Sequence, residues 1–272
     1  MREGVHAFGP IATSWVRVFL AALMLTPVLL WRREMGVLRL HWRLTLMVGL
    51  MSSGIPFVLY GFALQHISTG MSSIFNATTP LFGALIAWVW LGDRLNPSRA
   101  LGLAVGFAGV VLLTSDVTSH MNFSPEGSGL AVAACLVATF FYGLAGNFIK
   151  RYLQDVSPMV TTTGSLWGAS VVLALPAWWL WPEQAPPLRA WLALGAAGLL
   201  CTALAYVLYF RLMLRTGPAK AMAVTYLIPV FANLMGVVLL DEVITHWMLL
   251  GGVVIVLGTA LASGLLHIGQ PR

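Results

Sequence analysis

The sequence predicts an all-α integral membrane protein made of two inverted repeats of a five-helix unit, with nine transmembrane helices visible. Three observations predict this fold: an apolar composition, self-similarity at a constant offset, and an uneven distribution of Lys and Arg. Of the 272 residues, 59% are hydrophobic and only 9% are charged, whereas about 25% of residues in soluble domains are charged. Helices are expected because lipid offers no partner to the open edge of a sheet.

Nine apolar segments reach the roughly 20 residues that a helix needs to cross the hydrocarbon core. They lie at residues 10–31, 44–65, 68–91, 99–115, 128–150, 158–181, 189–213, 219–241 and 246–268. Each segment is apolar on all sides, whereas the strands of a membrane barrel alternate apolar and polar residues. The pattern therefore predicts membrane-spanning helices.

The chain resembles itself at an offset of 149 residues, with no gap. The matching pairs are Val58-Leu59-Tyr60 with Val207-Leu208-Tyr209, Pro80-Leu81-Phe82 with Pro229-Val230-Phe231, and Gly109 with Gly258. We predict one repeat at residues 1–120 and the second at 121–272. Internal duplication in an apolar chain is typical of secondary transporters.

Lys and Arg are concentrated in the loops of one side. When alternate loops are placed on opposite sides, one side has twelve basic residues and the other only Arg2 and Arg189. Because basic loops remain in the cytoplasm, the C-terminus is predicted to be cytoplasmic. The turn at residues 92–99 then faces the cytoplasm and its copy at 241–246 faces outward, so the repeats are predicted to be inverted.

Inversion requires an odd number of helices in each repeat. The second repeat has five predicted spans and the first has four, and the partner of the extra span falls before Met1 at the same offset. We therefore expect a first helix of roughly 20 residues that this chain lacks, which would be the tenth of the full fold.

Several motifs occur in the order and spacing of a known family. They are Ser-Trp-Val-Arg-Val-Phe-Leu-Ala-Ala at 14–22, Thr79-Pro80-Leu81-Phe82, Leu91-Gly92-Asp93-Arg94-Leu95, Tyr142-Gly143 with Asn147 and Lys150, Ile228-Pro229-Val230-Phe231, and Leu240-Asp241-Glu242. With these motifs the chain resembles the drug/metabolite transporter superfamily, specifically its EamA-type permeases. The resemblance implies ten helices in two inverted repeats around a central cavity, and movement of small metabolites, often outward.

Arg17 is the only charged residue well inside a predicted span. A central arginine is costly unless it faces protein or water, and a guanidinium binds a carboxylate through a forked contact. We predict that Arg17 binds substrate. The alternative is that Arg17 extends toward the outer boundary near Pro10 or supports a neighbouring backbone carbonyl.

Asn76 and Asn233 lie on equivalent predicted helices, close to Pro80 and Pro229. A proline inside a helix frees a carbonyl and bends the axis, and transporters place substrate contacts near such bends. We predict hinges at the two prolines and substrate contacts at the two asparagines. The alternative for each asparagine is a hydrogen bond that only joins two helices.

Three further polar residues complete the predicted substrate site: Tyr142, Asn147 and Tyr226. Tyr142 and Tyr226 fall in the middle of predicted spans, and Asn147 is close enough to Tyr142 on one helix to share its face. For each tyrosine, the alternative is packing or anchoring at the membrane interface.

The sequence favours a secondary transporter of small metabolites in a bacterial inner membrane, exporting an amino acid or related solute by alternating access. The alternative is a transport-inactive regulatory or assembly subunit with the same fold. An enzyme is not expected, because no Asp, Glu or His lies near the middle of a predicted span.

Other partners are not expected. The net charge of +6 resides in short loops that offer no continuous basic surface to nucleic acid. No cofactor or metal is expected, since no pair of histidines has the helical spacing of metal ligands. Small residues at Gly102, Gly106 and Gly109 favour close packing within one monomer, and a homodimer is the alternative.

Overall fold

The computed structural model describes residues 2–120, 125–216, 224 and 227–265. These residues form thirteen α-helices: α1 (Arg2–Trp31), α2 (Met35–Leu40), α3 (Trp42–Gly49), α4 (Ile55–Ala63), α5 (Thr69–Asn76), α6 (Thr79–Ile86), α7 (Pro97–His120), α8 (Pro125–Tyr152), α9 (Pro158–Trp179), α10 (Leu188–Gly198), α11 (Ala205–Thr216), α12 (Ile228–Leu240) and α13 (His246–Ala262). The π-helical segments Leu50–Gly54 and Leu199–Leu204 join α3 to α4 and α10 to α11, and Ala87–Leu91 extends α6. The prediction of an all-α fold is confirmed.

Seven helical stretches are apolar and long enough to cross a membrane. They are Glu3–Trp31, Trp42–Ala63, Thr69–Leu91, Pro97–Thr114, Gly127–Tyr152, Pro158–Trp179 and Leu188–Tyr209. These stretches coincide with the first seven predicted spans. The last two predicted spans contain the shorter apolar helices α12 and α13, and the total of nine crossings stays a prediction.

Local sequence sets where several helices begin. The hydroxyls of Ser68, Ser157 and Thr245 accept the backbone N–H groups of Met71, Val160 and Met248 at the starts of α5, α9 and α13. Such N-caps satisfy backbone donors that have no partner within the helix. The first helix is kinked at Gly9, which has a φ of 75°, a conformation that glycine adopts without strain.

The chain forms two compact units, each made of two separate segments. Unit 1 consists of Met1–Gln65 and Phe148–Met222, and unit 2 consists of His66–Asn147 and Ala223–Arg272. Each unit therefore contains helices from both predicted repeats. The predicted repeat boundary near residue 120 describes the order of the sequence and does not coincide with the boundary of either unit.

Backbone features recur at the offset of 149 residues. The π-helical segment Leu50–Gly54 has its equivalent in Leu199–Leu204, and Pro27 inside α1 has its equivalent in Pro176 inside α9. The equivalent positions at 92 and 241 are a glycine and an aspartate, and both end a helix in the left-handed conformation, with φ of 71° and 53°. In each case the next residue donates its N–H to a carbonyl six residues earlier, so the two turns share one hydrogen-bond pattern.

In unit 2, α7 and α13 pack against each other at equivalent positions. Gly102 lies against Ala262, and Gly251 lies against Leu113. A contact later in the sequence of α7 is made to a residue earlier in the sequence of α13, so the two helices are antiparallel. At the offset of 149, Gly102 corresponds to Gly251 and Leu113 to Ala262, so one contact is the image of the other.

Unit 1 also contains a pair of helix contacts that are related by the offset of 149 residues. Gly49 in α3 lies against Ala169 in α9, and Gly198 in α10 lies against Leu20 in α1. Positions 49 and 198 are equivalent at the offset, and so are positions 20 and 169. Small residues at these contacts allow the helix backbones to approach closely.

Candidate functional site

Arg17 projects from α1 into a group of side chains within unit 1. Its Nε–H donates to the hydroxyl oxygen Oγ1 of Thr202 at 2.9 Å, and its Cζ lies 4.2 Å from the centre of the Phe57 ring. The side chain of Arg17 is half-buried. A cation is attracted to the face of an aromatic ring, so Arg17 has both a polar and an aromatic partner inside the span.

Thr202 owes its position to the π-helical segment Leu199–Leu204. Its buried hydroxyl donates to the carbonyl of Ala197, five residues earlier, at 2.8 Å. Single π-helical turns within α-helices are frequently found at functional sites. Here the turn directs a hydroxyl, rather than an aliphatic side chain, toward α1.

The residues around Arg17 occupy equivalent positions in the two repeats. Phe57 corresponds to Tyr206, which interacts electrostatically with Arg17, whereas Arg17 itself corresponds to Leu166, which is completely buried. We call Arg17, Phe57, Thr202 and Tyr206 the Arg17 cluster. Both repeats contribute to the cluster, but only one contributes a charge.

The Arg17 cluster has the chemistry of an anion site. A guanidinium offers paired N–H donors that match a carboxylate, and the aromatic rings and hydroxyl beside it suit a small solute with apolar and polar parts. Charged residues that persist within membrane spans are costly and usually functional.

Asn147 joins two helices of unit 2. Its Nδ2 donates to the carbonyls of Gly83 in α6 and Gly143 in α8, at 2.9 Å each. A Cβ atom on Gly143 would lie 2.7 Å from the backbone nitrogen of Gly83, so the two backbones are in close contact there. Tyr142 is half-buried on the same helix. The amide hydrogens of Asn147 therefore hold α6 against α8.

The regular helical hydrogen bonding is interrupted just before Pro80. α5 ends at Asn76, and Pro80 lies in the first turn of a separate helix, α6. Since proline has no N–H to donate, the hydroxyls of Thr78 and Thr79 supply hydrogen bonds to the carbonyls of Phe75 and Asn76, at 2.7 and 2.8 Å. Likewise, Pro229 lies in the first turn of α12.

A second polar contact in unit 2 joins α5 to the turn after α12. The Glu242 carboxylate accepts the backbone N–H groups of Thr69 at 2.8 Å and Gly70 at 3.1 Å. Asn233 donates to the carbonyl of Pro229 at 2.8 Å, and its Oδ1 packs against Gly70. Because a carboxylate at a helix N-terminus is stabilised by the helix dipole, Glu242 fastens α5 to this turn.

A mainly apolar cavity of about 490 Å³ adjoins this contact. It is lined by Thr69 at the start of α5, by Val224 and Leu227 before α12, and by residues of α12 that include Phe231, Met235, Gly236 and Leu240. Thr69 thus belongs both to the cavity wall and to the contact with Glu242.

The predicted site residues fall in different units. Arg17 is in unit 1, whereas unit 2 contains Asn76, Pro80, Tyr142, Asn147, Pro229 and Asn233. Tyr226 lies outside the described residues. Within unit 2 the structure brings Asn147 to the α6 backbone and Asn233 to the start of α5.

The sequence pattern of the EamA-like transporter family matches residues 1–115 and 129–264, which together make up most of the chain. The chain belongs to the EamA-like transporter family. The family resemblance predicted from the motifs is therefore confirmed, and the chain is a multi-pass membrane protein of a transporter family.

Curated relatives of this family member share about a quarter of its residues. Uncharacterized transporter YoaV of Bacillus subtilis is 26% identical over 95% of this chain and 88% of its own length. The probable terminal-alkyne amino-acid exporter of Streptantibioticus cattleyicolor is 25% identical over 97% of this chain and 87% of its own length. Uncharacterized inner membrane transporter YedA of Escherichia coli K12 is 26% identical over 93% of this chain and 82% of its own length.

A solved crystal structure shares the fold of this EamA-like chain. It has a TM-score of 0.67 and 21% sequence identity, and the match covers 96% of this chain and 90% of the other. At this level of identity the likeness extends to the fold alone.

The described part of this EamA-like protein contains no candidate metal site of three or more ligands. No group of three or more His, Cys, Asp or Glu side chains comes together within residues 2–120, 125–216 and 227–265. The two cysteines, Cys135 and Cys201, are both free.

Sequence reasoning missed the partners of Arg17 and the function of Glu242 as a cap. From the sequence, Glu242 was singled out only within the motif Leu240-Asp241-Glu242 and the turn at residues 241–246. Its equivalence to Asp93 in the repeated turn was the available signal, because a matched acidic position in both copies indicates a structural role. Phe57, Thr202 and Tyr206 carried no comparable signal.

Proposed function

We propose that this protein is a secondary transporter that exports a small carboxylate-bearing metabolite, an amino acid or related solute, across a bacterial inner membrane. The observation that carries the proposal is the Arg17 cluster. It places a guanidinium inside a membrane span, with an aromatic ring and a hydroxyl beside it. The name of one relative, a probable terminal-alkyne amino-acid exporter, is consistent with such a substrate.

We infer that the two repeats are inverted in the membrane. The antiparallel packing of α7 against α13, its own equivalent in the other repeat, supports this, because equivalent helices of inverted repeats run in opposite directions. The concentration of basic residues in loops of one side supports a cytoplasmic C-terminus. The total of nine crossings remains a prediction.

Alternating access would expose the Arg17 site first to one side and then to the other, as one group of helices moves against the other. Arg17 would hold the carboxylate through paired hydrogen bonds. Asn76, Tyr142, Asn147, Tyr226 and Asn233 remain predicted substrate contacts. Pro80 and Pro229 remain the predicted hinges, and the interruption at residues 77–78 supports a hinge at Pro80.

The proposal is tested by transport in proteoliposomes. Radiolabelled L-amino acids are screened first; the one that wild type moves fastest becomes the probe, and its carboxamide, which lacks the carboxylate, is the comparison. Arg17→Ala is expected to raise the KM for the probe about ten-fold or more, because a charge-assisted hydrogen bond contributes about 1.5–3 kcal/mol. The KM for the carboxamide is expected to change less than about two-fold.

Arg17→Lys separates charge from geometry. Lysine keeps the charge but has no planar fork, so it is expected to recover only part of the affinity for the probe. Equal losses for the probe and the carboxamide in Arg17→Ala would contradict a substrate role for Arg17. If wild type moves no amino acid, the substrate class is wrong and the alternative of a transport-inactive regulatory or assembly subunit is favoured.

A further inference from the structure

The hydroxyl of Thr202 donates one hydrogen bond and accepts another. Its single proton is donated to the carbonyl of Ala197 at 2.8 Å, so its oxygen is the acceptor for the Nε–H of Arg17 at 2.9 Å. Thr202 is 2% exposed, so water competes little for either bond. The carbonyl of Ala197 near the end of α10 thus fixes the hydroxyl, and the hydroxyl fixes one edge of the guanidinium.

Two contacts constrain the side chain of Arg17. The bond to Thr202 lies at the edge of the guanidinium, and the Phe57 ring lies 4.2 Å from its Cζ. An arginine side chain otherwise has large rotamer freedom, and losing that freedom upon binding reduces affinity. Fixing the guanidinium beforehand removes part of this loss, which is the reason that neighbouring groups support binding residues.

We propose that Thr202 is a positioning residue that orients Arg17 for the carboxylate of the substrate and thereby sets the affinity for carboxylate-bearing solutes. The inference rests on the substrate role of Arg17 under the proposed function. Thr202 acts through Arg17, so its effect on binding depends on the arginine being present.

The equivalent residue of the other repeat provides an internal comparison. Ser53 corresponds to Thr202 on the equivalent π-helical segment and is also buried. Arg17, however, corresponds to Leu166, so the repeat supplies no second arginine for the Ser53 hydroxyl to orient. Positioning therefore belongs to one repeat only.

The test compares KM and Vmax of variants in proteoliposomes, with the radiolabelled probe amino acid defined above. Thr202→Val removes the hydroxyl while nearly keeping the shape, and is expected to raise KM about ten-fold with Vmax within about two-fold of wild type. Thr202→Ser restores a hydroxyl and is expected to restore KM to within about two-fold. If Thr202→Val does not fold, Thr202→Ala provides the same comparison with Thr202→Ser.

Two matched controls separate positioning from folding. Thr259→Val removes another buried hydroxyl, which bonds only a carbonyl of its own helix, that of Val256 at 2.9 Å. Ser53→Ala removes the equivalent hydroxyl of the other repeat. Both are expected to leave the KM of the probe within about two-fold of wild type.

The double variant Arg17→Ala/Thr202→Val decides whether Thr202 acts through Arg17. Its KM is expected to equal that of Arg17→Ala alone, because removing the arginine removes the group that Thr202 orients. The inference is overturned if Thr202→Val leaves KM unchanged, if Thr202→Ser behaves like Thr202→Val, or if the two single effects multiply. Failure of the proposed function itself is distinguishable, because Arg17→Ala would then raise KM equally for the probe and the carboxamide.

Discussion

At the scale of single residues, Arg17 shows what a sequence can and cannot reveal. A charge in an apolar span stands out from its neighbours, so the residue is predictable. Its partners are not, because Phe57 and Thr202 look like ordinary residues of a membrane helix, and Thr202 lies 185 positions away along the chain. Only folding brings the ring and the hydroxyl to the guanidinium.

Asn147 is a residue whose role the sequence alone could not decide. Its position near Tyr142 made a substrate contact plausible, yet its amide hydrogens are donated to two backbone carbonyls. Hydrophobic patterning cannot tell these roles apart, because an asparagine that joins helices and one that faces a cavity occupy the same kind of apolar segment.

The left-handed turns at equivalent positions 92 and 241 provide a residue-scale prediction. Gly92 adopts φ of 71° and Asp241 φ of 53°, a region in which a Cβ atom costs roughly 1–2 kcal/mol, with aspartate among the more tolerant residues. Gly92→Ala is expected to lower the free energy of unfolding by about 1 kcal/mol, and Asp241→Gly to raise it by up to about 1 kcal/mol.

Chemical unfolding in detergent measures both changes. Gly36→Ala is the control, because Gly36 has nothing within 4 Å of an added Cβ and no positive φ; it is expected to be neutral or stabilising. A stabilising Gly92→Ala would show that backbone conformation does not limit this turn.

At the scale of elements, the sequence predicted the first seven helical spans but not the π-helical segments that interrupt some of them. Apolar runs mark where a chain crosses lipid, so the first seven spans follow from hydrophobicity. The π-helical segments depend on a shift in hydrogen-bond register, which leaves no trace in an apolar pattern. Pro80 marked an irregularity, but the sequence did not show that the hydroxyls of Thr78 and Thr79 would bond the carbonyls of Phe75 and Asn76 where the helix is interrupted.

The seam between α7 and α13 provides an element-scale prediction. A Cβ atom on Gly258 would collide with the backbone of Gly106, whereas one on Gly252 would be 3.6 Å from its nearest neighbour, the side chain of Ile74. Gly258→Ala is expected to destabilise the protein by about 1–3 kcal/mol, because rigid backbone cannot yield.

Gly252→Ala is the matched control on the same helix. It is expected to be neutral or to stabilise by up to about 1 kcal/mol, since alanine favours helix more than glycine does. The midpoint of thermal unfolding in detergent distinguishes the two variants. Similar midpoints for Gly258→Ala and wild type would mean that the two helices can separate at no cost, contrary to the close packing in unit 2.

At the scale of the whole molecule, the offset of 149 residues relates more than similar sequence. It also relates the two π-helical segments, the two left-handed turns and the paired glycine contacts of the structure, which the sequence had not revealed. It did not predict that each compact unit would combine segments of both repeats. The order of a chain indicates which segments are alike but not which of them pack together, since packing depends on complementary surfaces formed only in three dimensions.

Inversion of the repeats is testable by labelling single cysteines from either side of the membrane. In a background with Cys135 and Cys201 replaced by serine, Pro97→Cys and Val243→Cys place a thiol at exposed positions next to the two equivalent turns. Basic loops remain in the cytoplasm, so Pro97→Cys is expected to react with a membrane-impermeant maleimide only in inside-out vesicles. Val243→Cys is expected to react in intact spheroplasts.

Two exposed loop positions calibrate the labelling. Gln154→Cys lies in a loop predicted to be cytoplasmic and Glu183→Cys in one predicted to face outward, and both side chains are exposed. Inverted repeats require Pro97→Cys to follow Gln154→Cys and Val243→Cys to follow Glu183→Cys. If Pro97→Cys and Val243→Cys react from one side, the repeats run parallel, and antiparallel α7 and α13 could then not be equivalent crossings of the membrane. Alternating access between inverted halves would lose its structural basis.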